Sequence, residues 1–289
     1  MDHSILKILV PLDGSEASEA VLPAVKALER IDHPEVVLLY VFDGRETHFL
    51  PPEPFSHAWA KLRWDGVDAW MTVRDGSPAG EILEAARSMK ADLIAMSTHG
   101  RGGLKRLLAG SVAESVLRRT ELPLLMTRPG TAARNWTRIA VALDGSEQAE
   151  AILPETVRIA RALGSTVDLI RVTQPQVAAV AGEVPIVLPA EDPTPYLKGV
   201  VRRLEAQGVR AAITVLEGGA AEEILGHVER SGVSLITMTT RGRNGLTRLF
   251  LGSVAEEVLR RATCPVLLRR TADRRAAAES LSSPLVVAG

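Results

Sequence analysis

The sequence predicts an α/β protein built from two doubly wound, five-stranded parallel-sheet domains. The first observation is an internal repeat, since the motif Leu-Asp-Gly-Ser-Glu begins at Leu12 and again at Leu143, 131 positions later. The second is that nearly unbroken apolar runs alternate with helical segments, which indicates parallel strands buried on both faces. The third is size, because each half has the length of an ordinary domain. Right-handed crossovers then give a doubly wound sheet in each half.

The spacing of the repeat locates the difference between the two halves. From Gly66 and Gly208 onward the offset is 142, so the halves differ by a net 11 residues, all between about positions 43 and 65. A length change of this kind is tolerated in a surface segment and not in a core strand. We therefore expect a first domain at 1–130, a second at 136–270 and a C-terminal tail at 271–289.

The elements of the first half follow in chain order. Residues 5–10 are apolar except for Lys7 and predict the first strand, and the apolar spacing of 15–30 predicts one helix. Next come strands at 36–41 and 67–73, a helix at 78–90, a strand at 92–96, a helix at 111–119 and a strand at 124–127. The second half repeats this order from 138 to 268, with a helix around 196–206.

The segment between the second and third strands of the first half is rich in aromatic residues. Only 3% of the chain is aromatic, yet this segment carries Phe42, Phe49, Phe55, Trp59, Trp64 and Trp70. One interpretation is a lid or an interface patch. The other is a short helix whose bulky side chains cover the sheet. The pattern alone leaves both open.

Bulk composition excludes several classes of function. A formal charge of −1 provides no overall attraction to nucleic acid or to an anionic membrane. The single cysteine, Cys264, excludes an internal disulfide and is expected to be buried, and no Cys/His cluster has metal-ligand spacing. No apolar run approaches the roughly 20 residues of a spanning helix. The acidic start is unlike a signal peptide, so we expect a cytoplasmic protein.

Asp13 and Asp144 follow the first strand of their halves, where two interpretations compete. An acidic residue or a serine followed by a glutamate is common at a helix start, as part of a cap. A carboxylate at the carboxyl end of a strand also accepts hydrogen bonds from a ribose hydroxyl or a base amine, and Gly14 and Gly145 leave room beside it.

A glycine-rich loop after the fourth strand is also duplicated. Gly100 and Gly242 let a ligand approach backbone N–H groups. Gly110-Ser111 and Gly252-Ser253 open the next helix, whose N-terminus favours an anion. The basic residues between them are Arg101, Lys105, Arg106, Arg243 and Arg248. The alternative is that the glycines cap helices and the basic residues face solvent, but duplication favours a phosphate site. The P-loop and dinucleotide-binding fingerprints are absent.

Together, the strand followed by Asp-Gly-Ser and the G-x-x-G-x9-G-[ST] type of loop resemble the universal stress protein family, in a tandem form up to about residue 270. Ser97 and Thr239 replace the first glycine of that loop. The resemblance implies a Rossmann-like, adenine nucleotide α-hydrolase-like fold and a bound ATP, AMP or ADP, with or without Mg. The residues that it places at the ligand are Pro11, Asp13, Val41, Met96, Ser97, His99, Gly100, Arg101, Gly110, Ser111 and Val112 in the first half, and Ala142, Asp144, Val172, Met238, Thr239, Arg241, Gly242, Arg243, Gly252, Ser253 and Val254 in the second.

Catalysis is not indicated by these residues. His99 lies inside the first loop, but its counterpart is Arg241, so the two sites share a phosphate donor rather than a general base. The remaining histidines (His3, His33, His48, His57 and His227) are expected to be exposed. No nucleophile with a base and an orienting group is visible. The leading hypothesis is a nucleotide-binding stress-response protein; the alternatives are a slow ATPase or phosphotransferase and an interaction protein with vestigial loops.

The resemblance also predicts how the two halves associate. It suggests that strands 124–127 and 266–268 pair edge to edge, which makes the chain an internal pseudo-dimer and removes two exposed edges. Two chains are then expected to form a homodimer.

Overall fold

The computed structural model describes residues 6–31, 33–44, 50–98, 110–131, 135–174, 192–240 and 251–271, and the backbone of 176–178 and 186–188. The predicted C-terminal tail lies outside these residues except for its first residue. None of the helices in these ranges is both long and apolar enough to cross a membrane.

The elements of the two halves correspond closely. The first half contains β1 (Lys7–Pro11), α1 (Glu16–Glu19), α2 (Leu22–Leu28), β2 (Glu35–Phe42), α3 (Glu53–Trp64), β3 (Ala69–Asp75), α4 (Pro78–Ser88), β4 (Leu93–Ser97), α5 (Ser111–Arg119) and β5 (Leu124–Thr127). The second contains β6 (Arg138–Ala142), α6 (Glu147–Glu150), α7 (Leu153–Leu163), β7 (Thr166–Thr173), β8 (Gln176–Ala178), β9 (Ile186–Leu188), α8 (Thr194–Glu205), β10 (Arg210–Glu217), α9 (Ala220–Ser231), β11 (Leu235–Thr239), α10 (Ser253–Arg261) and β12 (Val266–Arg269).

Each half forms a five-stranded parallel sheet, which confirms the predicted fold class. The strand orders are β3-β2-β1-β4-β5 and β10-β7-β6-β11-β12. In the first half, α2 and α3 pack their buried side chains on one face of the sheet, and α4 and α5 pack theirs on the other. Both faces of the central strands are therefore covered, as their continuous apolar sequences require.

The last strands of the two halves join the sheets into one. β12 pairs antiparallel with β5, and Leu267 lies opposite Leu125, its own counterpart in the repeat. This confirms the predicted edge-to-edge pairing. On each face of the ten-stranded sheet, one cluster of buried residues contains members of both halves. Trp136, from the segment that joins the halves, is buried in one of these clusters. The two halves therefore share their hydrophobic core.

Several predicted boundaries were wrong for identifiable reasons. The helix expected at 15–30 is two helices, because Pro23 stands in the first turn of α2 and has no N–H to continue α1. The third strand begins at Ala69 rather than at 67, since the Val67 N–H bonds to the Leu62 carbonyl and closes the end of α3. The short antiparallel pair β8–β9 in the second half was not predicted.

The aromatic segment both covers the sheet and faces solvent. Phe55 of α3 is buried, with its ring centroid 5.6 Å from that of Tyr40, and the Trp59 indole donates to the Ala69 carbonyl at 2.9 Å. These contacts support the interpretation as a covering helix. Trp64 and Trp70, in contrast, are 91% and 59% exposed.

A buried ionic cluster in the second half corrects the expectation that His227 is exposed. Asp168 is fully buried in β7; its Oδ2 accepts a hydrogen bond from Arg138 Nε at 2.7 Å and lies 3.0 Å from His227 Nε2. Ser231 Oγ lies 3.3 Å from His227 Nδ1. His227 is buried because a carboxylate inside an apolar sheet needs polar partners. The corresponding residues of the first half are Val37, Lys7 and Ala85, so that half has no such cluster.

Candidate functional site

The topology creates one crevice in each half. In the first half the chain continues from β1 to β2 on one side and reaches β4 on the other, so the order of strands reverses between β1 and β4. In the second half the same reversal falls between β6 and β11. In open α/β sheets, ligands bind outside the carboxyl ends of the strands at such a switch point. The duplicated motifs lie at these ends.

The Asp-Gly-Ser motif forms the same turn in both crevices. Asp13 Oδ1 accepts hydrogen bonds from the Ser15 backbone N–H at 3.0 Å and from the Ser15 hydroxyl at 2.6 Å. Asp144 and Ser146 repeat both contacts at the same distances. Gly14 and Gly145 have φ of 76° and 82°, in the left-handed region where glycine is favoured. The turn thus holds a half-buried carboxylate at the end of β1 and of β6.

The serine of this turn, and not the aspartate, caps the following helix. Ser15 Oγ accepts from the Ser18 N–H, and Ser146 Oγ accepts from the Ala149 N–H, both at 3.1 Å. The two interpretations of the motif are therefore divided between two residues: serine caps the helix, while aspartate orients the serine and faces the crevice end of the strand.

Replacing this capping serine has a defined expected cost. Ser146→Ala removes the cap of α6 and one partner of Asp144, so we expect the free energy of unfolding to fall by about 1 kcal/mol. Urea denaturation measures this change. Gln148→Ala, at an exposed position of the same helix, is the control and should leave the stability nearly unchanged. Equal losses in the two variants would contradict a capping role.

The described ends of each glycine loop are held together by the backbone. The Gly110 N–H donates to the Thr98 carbonyl at 2.6 Å, and the Gly252 N–H donates to the Thr240 carbonyl at 2.7 Å. The residues that flank each loop are therefore held together at the end of β4 or β11. Ser111 and Ser253 begin α5 and α10 and are exposed, and no side chain of the described residues caps either helix. Their first-turn N–H groups face the crevice end of the sheet.

The backbone dihedral angles do not require glycine at either helix start. Gly110 has φ −54° and Gly252 has φ −67°, which any residue adopts. A Cβ placed on Gly110 would meet, among the described residues, only the Thr98 carbonyl oxygen at an ordinary 3.7 Å. The backbone dihedral angles therefore do not explain the glycine at these two positions.

Apolar side chains border the crevices on the face that carries α4, α5, α9 and α10. Val41 and Val112 in the first half are half-buried against that core, as are Ala142, Val172 and Val254 in the second. Met96 and Met238 belong to the same core, and Ser97 and Thr239 are buried beside them. Pro11 is half-buried at the end of β1.

Part of each predicted site belongs to the glycine loops that the structure does not describe. His99, Gly100, Arg101, Arg241, Gly242 and Arg243 lie outside the described residues, so their predicted roles stay predictions. Sequence reasoning did not single out Thr98 and Thr240, whose carbonyls anchor the loops. The Thr240 hydroxyl is buried without a hydrogen-bond partner among the described residues. The signal was available, since both threonines directly follow a buried strand at the 142-residue offset.

The electrostatics beside the second crevice differ from those beside the first. Burial and the neighbouring Glu150 carboxylate raise the pKa of the Tyr196 hydroxyl far above its ordinary value, and Asp144 adds to the effect. The hydroxyl therefore stays protonated, and it remains a potential donor. Arg203 Nη2 pairs with Glu150 Oε2 at 2.6 Å. In the first half, burial raises the pKa of Glu19, the counterpart of Glu150, while Lys61 opposes the change.

A metal site is not apparent in the described part of the chain. No three His, Cys, Asp or Glu residues there come together in an arrangement that holds a metal ion.

Comparison with known proteins identifies the family. The model of the universal stress protein family matches residues 5–128 and again 135–270. The chain is 36% identical over 139 residues to the universal stress protein MJ0531 of Methanocaldococcus jannaschii, covering 42% of this chain and 81% of that protein. It is 24% identical over 296 residues to Rv2005c of Mycobacterium tuberculosis, covering 91% and 96%.

A solved structure shares the complete fold. The universal stress protein of Archaeoglobus fulgidus superposes with a TM-score of 0.72 at 24% identity, over 91% of this chain and 98% of that one. The repeated family match and this tandem architecture lead to one conclusion: the chain is a two-domain member of the universal stress protein family.

Proposed function

We propose that each half binds one adenine nucleotide, ATP or its mono- and diphosphate forms, at the crevice between β1 and β4 or between β6 and β11. The observation that carries the proposal occurs in both halves: a glycine whose φ suits any residue bonds back to the end of β4 or β11 and directly precedes a helix that no described side chain caps. Such a helix start provides N–H donors and a favourable dipole for phosphate. The half-buried Asp13 and Asp144 are suited to ribose hydroxyls or a base amine.

The residues present fit such a ligand in three respects. Among the described residues, Gly110 leaves space for a group as large as a methyl without displacing a neighbour. The unpartnered Thr240 hydroxyl supplies one more polar group at the mouth of the second loop. Val41 and Val172 provide apolar contact for a base. When Mg accompanies the nucleotide, it would be held mainly by the phosphates, since such ions keep few protein ligands.

The proposed role of the nucleotide is regulatory or stabilising. A ligand that binds only the folded state stabilises it by mass action, by about 2.7 kcal/mol at a free concentration 100 times its Kd. We further propose that the protein is cytoplasmic, acts as a homodimer and binds neither nucleic acid nor membrane, as its charge balance suggests.

Binding stoichiometry is the direct test. Native mass spectrometry of the full-length chain with ATP is expected to show two nucleotides per chain, and the thermal unfolding temperature should rise with ATP concentration. The panel includes ADP and AMP, together with cAMP and dAMP, which two universal stress proteins hold in their solved structures. GTP serves as the control for base selectivity. Absence of any bound nucleotide would overturn the proposal.

Turnover separates a regulatory ligand from a substrate. ATP incubated with the chain for hours should be recovered unchanged. Phosphate release proportional to protein concentration would instead establish the slow ATPase.

A further inference from the structure

Exposed apolar side chains are concentrated around one edge of the sheet. Among the described residues, the large apolar side chains that stand out as exposed are Leu50, Trp64, Trp70, Met71, Val73 and Val215. All but Val215 belong to the first half and lie on α3, on β3 or just before them. Trp70, Met71 and Val73, which we call the β3 edge patch, are 59%, 41% and 40% exposed. Their counterparts in the second half are Ala212, Ile213 and Val215.

The β3 edge patch lies on an unpaired edge strand. β3 is the terminal strand of the ten-stranded sheet and pairs with β2 on one side only. An exposed edge with apolar side chains is a template for pairing with another strand. Proline and inward-pointing lysine, two common protections of such an edge, are absent from Ala69–Asp75. We therefore expect this edge to pair with a strand of another chain.

We propose that β3 pairs with β3 of a second copy of this chain, antiparallel, with Thr72 facing Thr72 of the partner subunit. The two-fold axis of such a dimer is perpendicular to the sheet, so each side chain lies on the same face of the sheet in both subunits. Facing residues of a sheet point to one face, and faces alternate along a strand, so the two residue numbers of every facing pair must have an even sum. The register centred on Thr72 satisfies this condition. It continues the main-chain hydrogen bonding across the edge.

Side chains in this register complement one another on both faces. On the face of α4, where Arg74 bonds to Glu81 and Ser88, Trp70 lies opposite Arg74 of the partner subunit. An aromatic ring beside a guanidinium is a favourable cation–π pair. On the face of α3, Met71 lies opposite Val73 of the partner subunit. Each contact occurs twice because of the symmetry, so the strand is complementary to itself.

The chain already contains one antiparallel pairing between equivalent edge strands. In the pairing of β5 with β12, Leu125 faces its repeat counterpart Leu267 across an antiparallel edge. The free edge at β10 is less suited to self-pairing. Centred on Thr214, the counterpart of Thr72, it places Ala212 opposite Leu216 where β3 has Trp70 opposite Arg74, so it offers no aromatic or cation–π pair. The two edges therefore differ, and β10 provides the matched control.

An engineered disulfide tests both the surface and the register. Cys264 is the only native cysteine and is buried, so any disulfide between two chains must form through the introduced cysteine. Facing residues of an antiparallel pair are about 4.5–5.5 Å apart between Cα atoms, within the range of a disulfide. Oxidised Thr72→Cys should run at twice the 31.0 kDa chain mass on a non-reducing gel. Thr214→Cys should remain a single chain. Failure of Thr72→Cys to link, or equal linking by both variants, would overturn the proposal.

Sedimentation of the uncrosslinked chain tests the energetics. The wild type should sediment as a dimer at micromolar concentration, and Trp70→Glu should weaken dimerisation at least tenfold. Ala212→Glu, its counterpart on β10, should not change the dimer. Both variants should retain nucleotide binding, which shows that they are folded. A monomeric wild type, or a dimer that withstands Trp70→Glu, would overturn the proposal.

Discussion

Gly110→Val is expected to weaken nucleotide binding at the first site by about 100-fold while the second site stays intact. The physical reason is that the valine side chain occupies the space in which a phosphate reaches the first N–H groups of α5. Loss of one or two hydrogen bonds to a charged group costs about 1.5–3 kcal/mol each. A total of about 2.8 kcal/mol corresponds to the 100-fold change.

The structure allows this variant to fold. The φ and ψ of Gly110 suit valine, and a Cβ at this position meets no described atom closer than 3.7 Å. The free energy of unfolding without nucleotide should therefore change by less than about 1 kcal/mol. Titration calorimetry should show that Gly110→Val and Gly252→Val each lose one of the two sites. The double variant should bind none.

A control glycine outside the crevice completes this experiment. Gly199 lies in α8 with no described atom within 4 Å of a new Cβ, so Gly199→Val should keep both sites. If Gly110→Val still binds two nucleotides per chain, the assignment of the loop as the phosphate site is incorrect.

The second large effect concerns the buried cluster of Asp168, Arg138 and His227. Arg138→Met is expected to lower the free energy of unfolding by about 3–5 kcal/mol, because it leaves a buried carboxylate without its cation. Asp168→Val should cost much less. It removes the buried charge, including the Asp168 Oδ1 atom that has no partner among the described residues, and the arginine side chain is 41% exposed and can turn to water.

The first half supplies the matched control for this comparison. Lys7 corresponds to Arg138, and it pairs at 3.1 Å with Glu35, a side chain that is 32% exposed. Partly exposed pairs contribute about 0–1 kcal/mol, so Lys7→Met should have a small effect. Urea denaturation of the three variants measures the differences. An Asp168→Val loss equal to or larger than that of Arg138→Met would contradict the importance of the uncompensated charge.

The sequence predicted the fold well because the repeat supplied each observation twice. The apolar strands, the switch points and the edge pairing at Leu125 all followed from the alternating pattern and the family resemblance. Proline limited the helices: Pro23 and Pro154 each start a new helix that periodicity alone joins to the previous one. Strand ends were uncertain by two residues because Val67 is as apolar as the strand that it precedes.

The polar interior was harder to predict, although it left signals. Asp168 interrupts an apolar strand, and its buried carboxylate requires a polar partner elsewhere in the fold. His227 lies between Ile224 and Val228 on the buried face of α9. The partner could not be identified before the register of the sheet was known. At the crevices, the Asp-Gly-Ser turns were found, but Thr98 and Thr240 were missed: their repeated position after a buried strand was visible, whereas the role of their backbone carbonyls is not encoded by side-chain type.

The antiparallel pairing of β5 with β12 also determines on which sides of the molecule the two crevices lie. Because the strands of one half run opposite to those of the other, the two crevices open at opposite rims of the molecule. If each crevice holds a nucleotide, as we propose, a protein that docks on one rim would contact the nucleotide of one half and would not reach that of the other. Such a protein would respond to the occupancy of one site, and the two sites would act as separate signals.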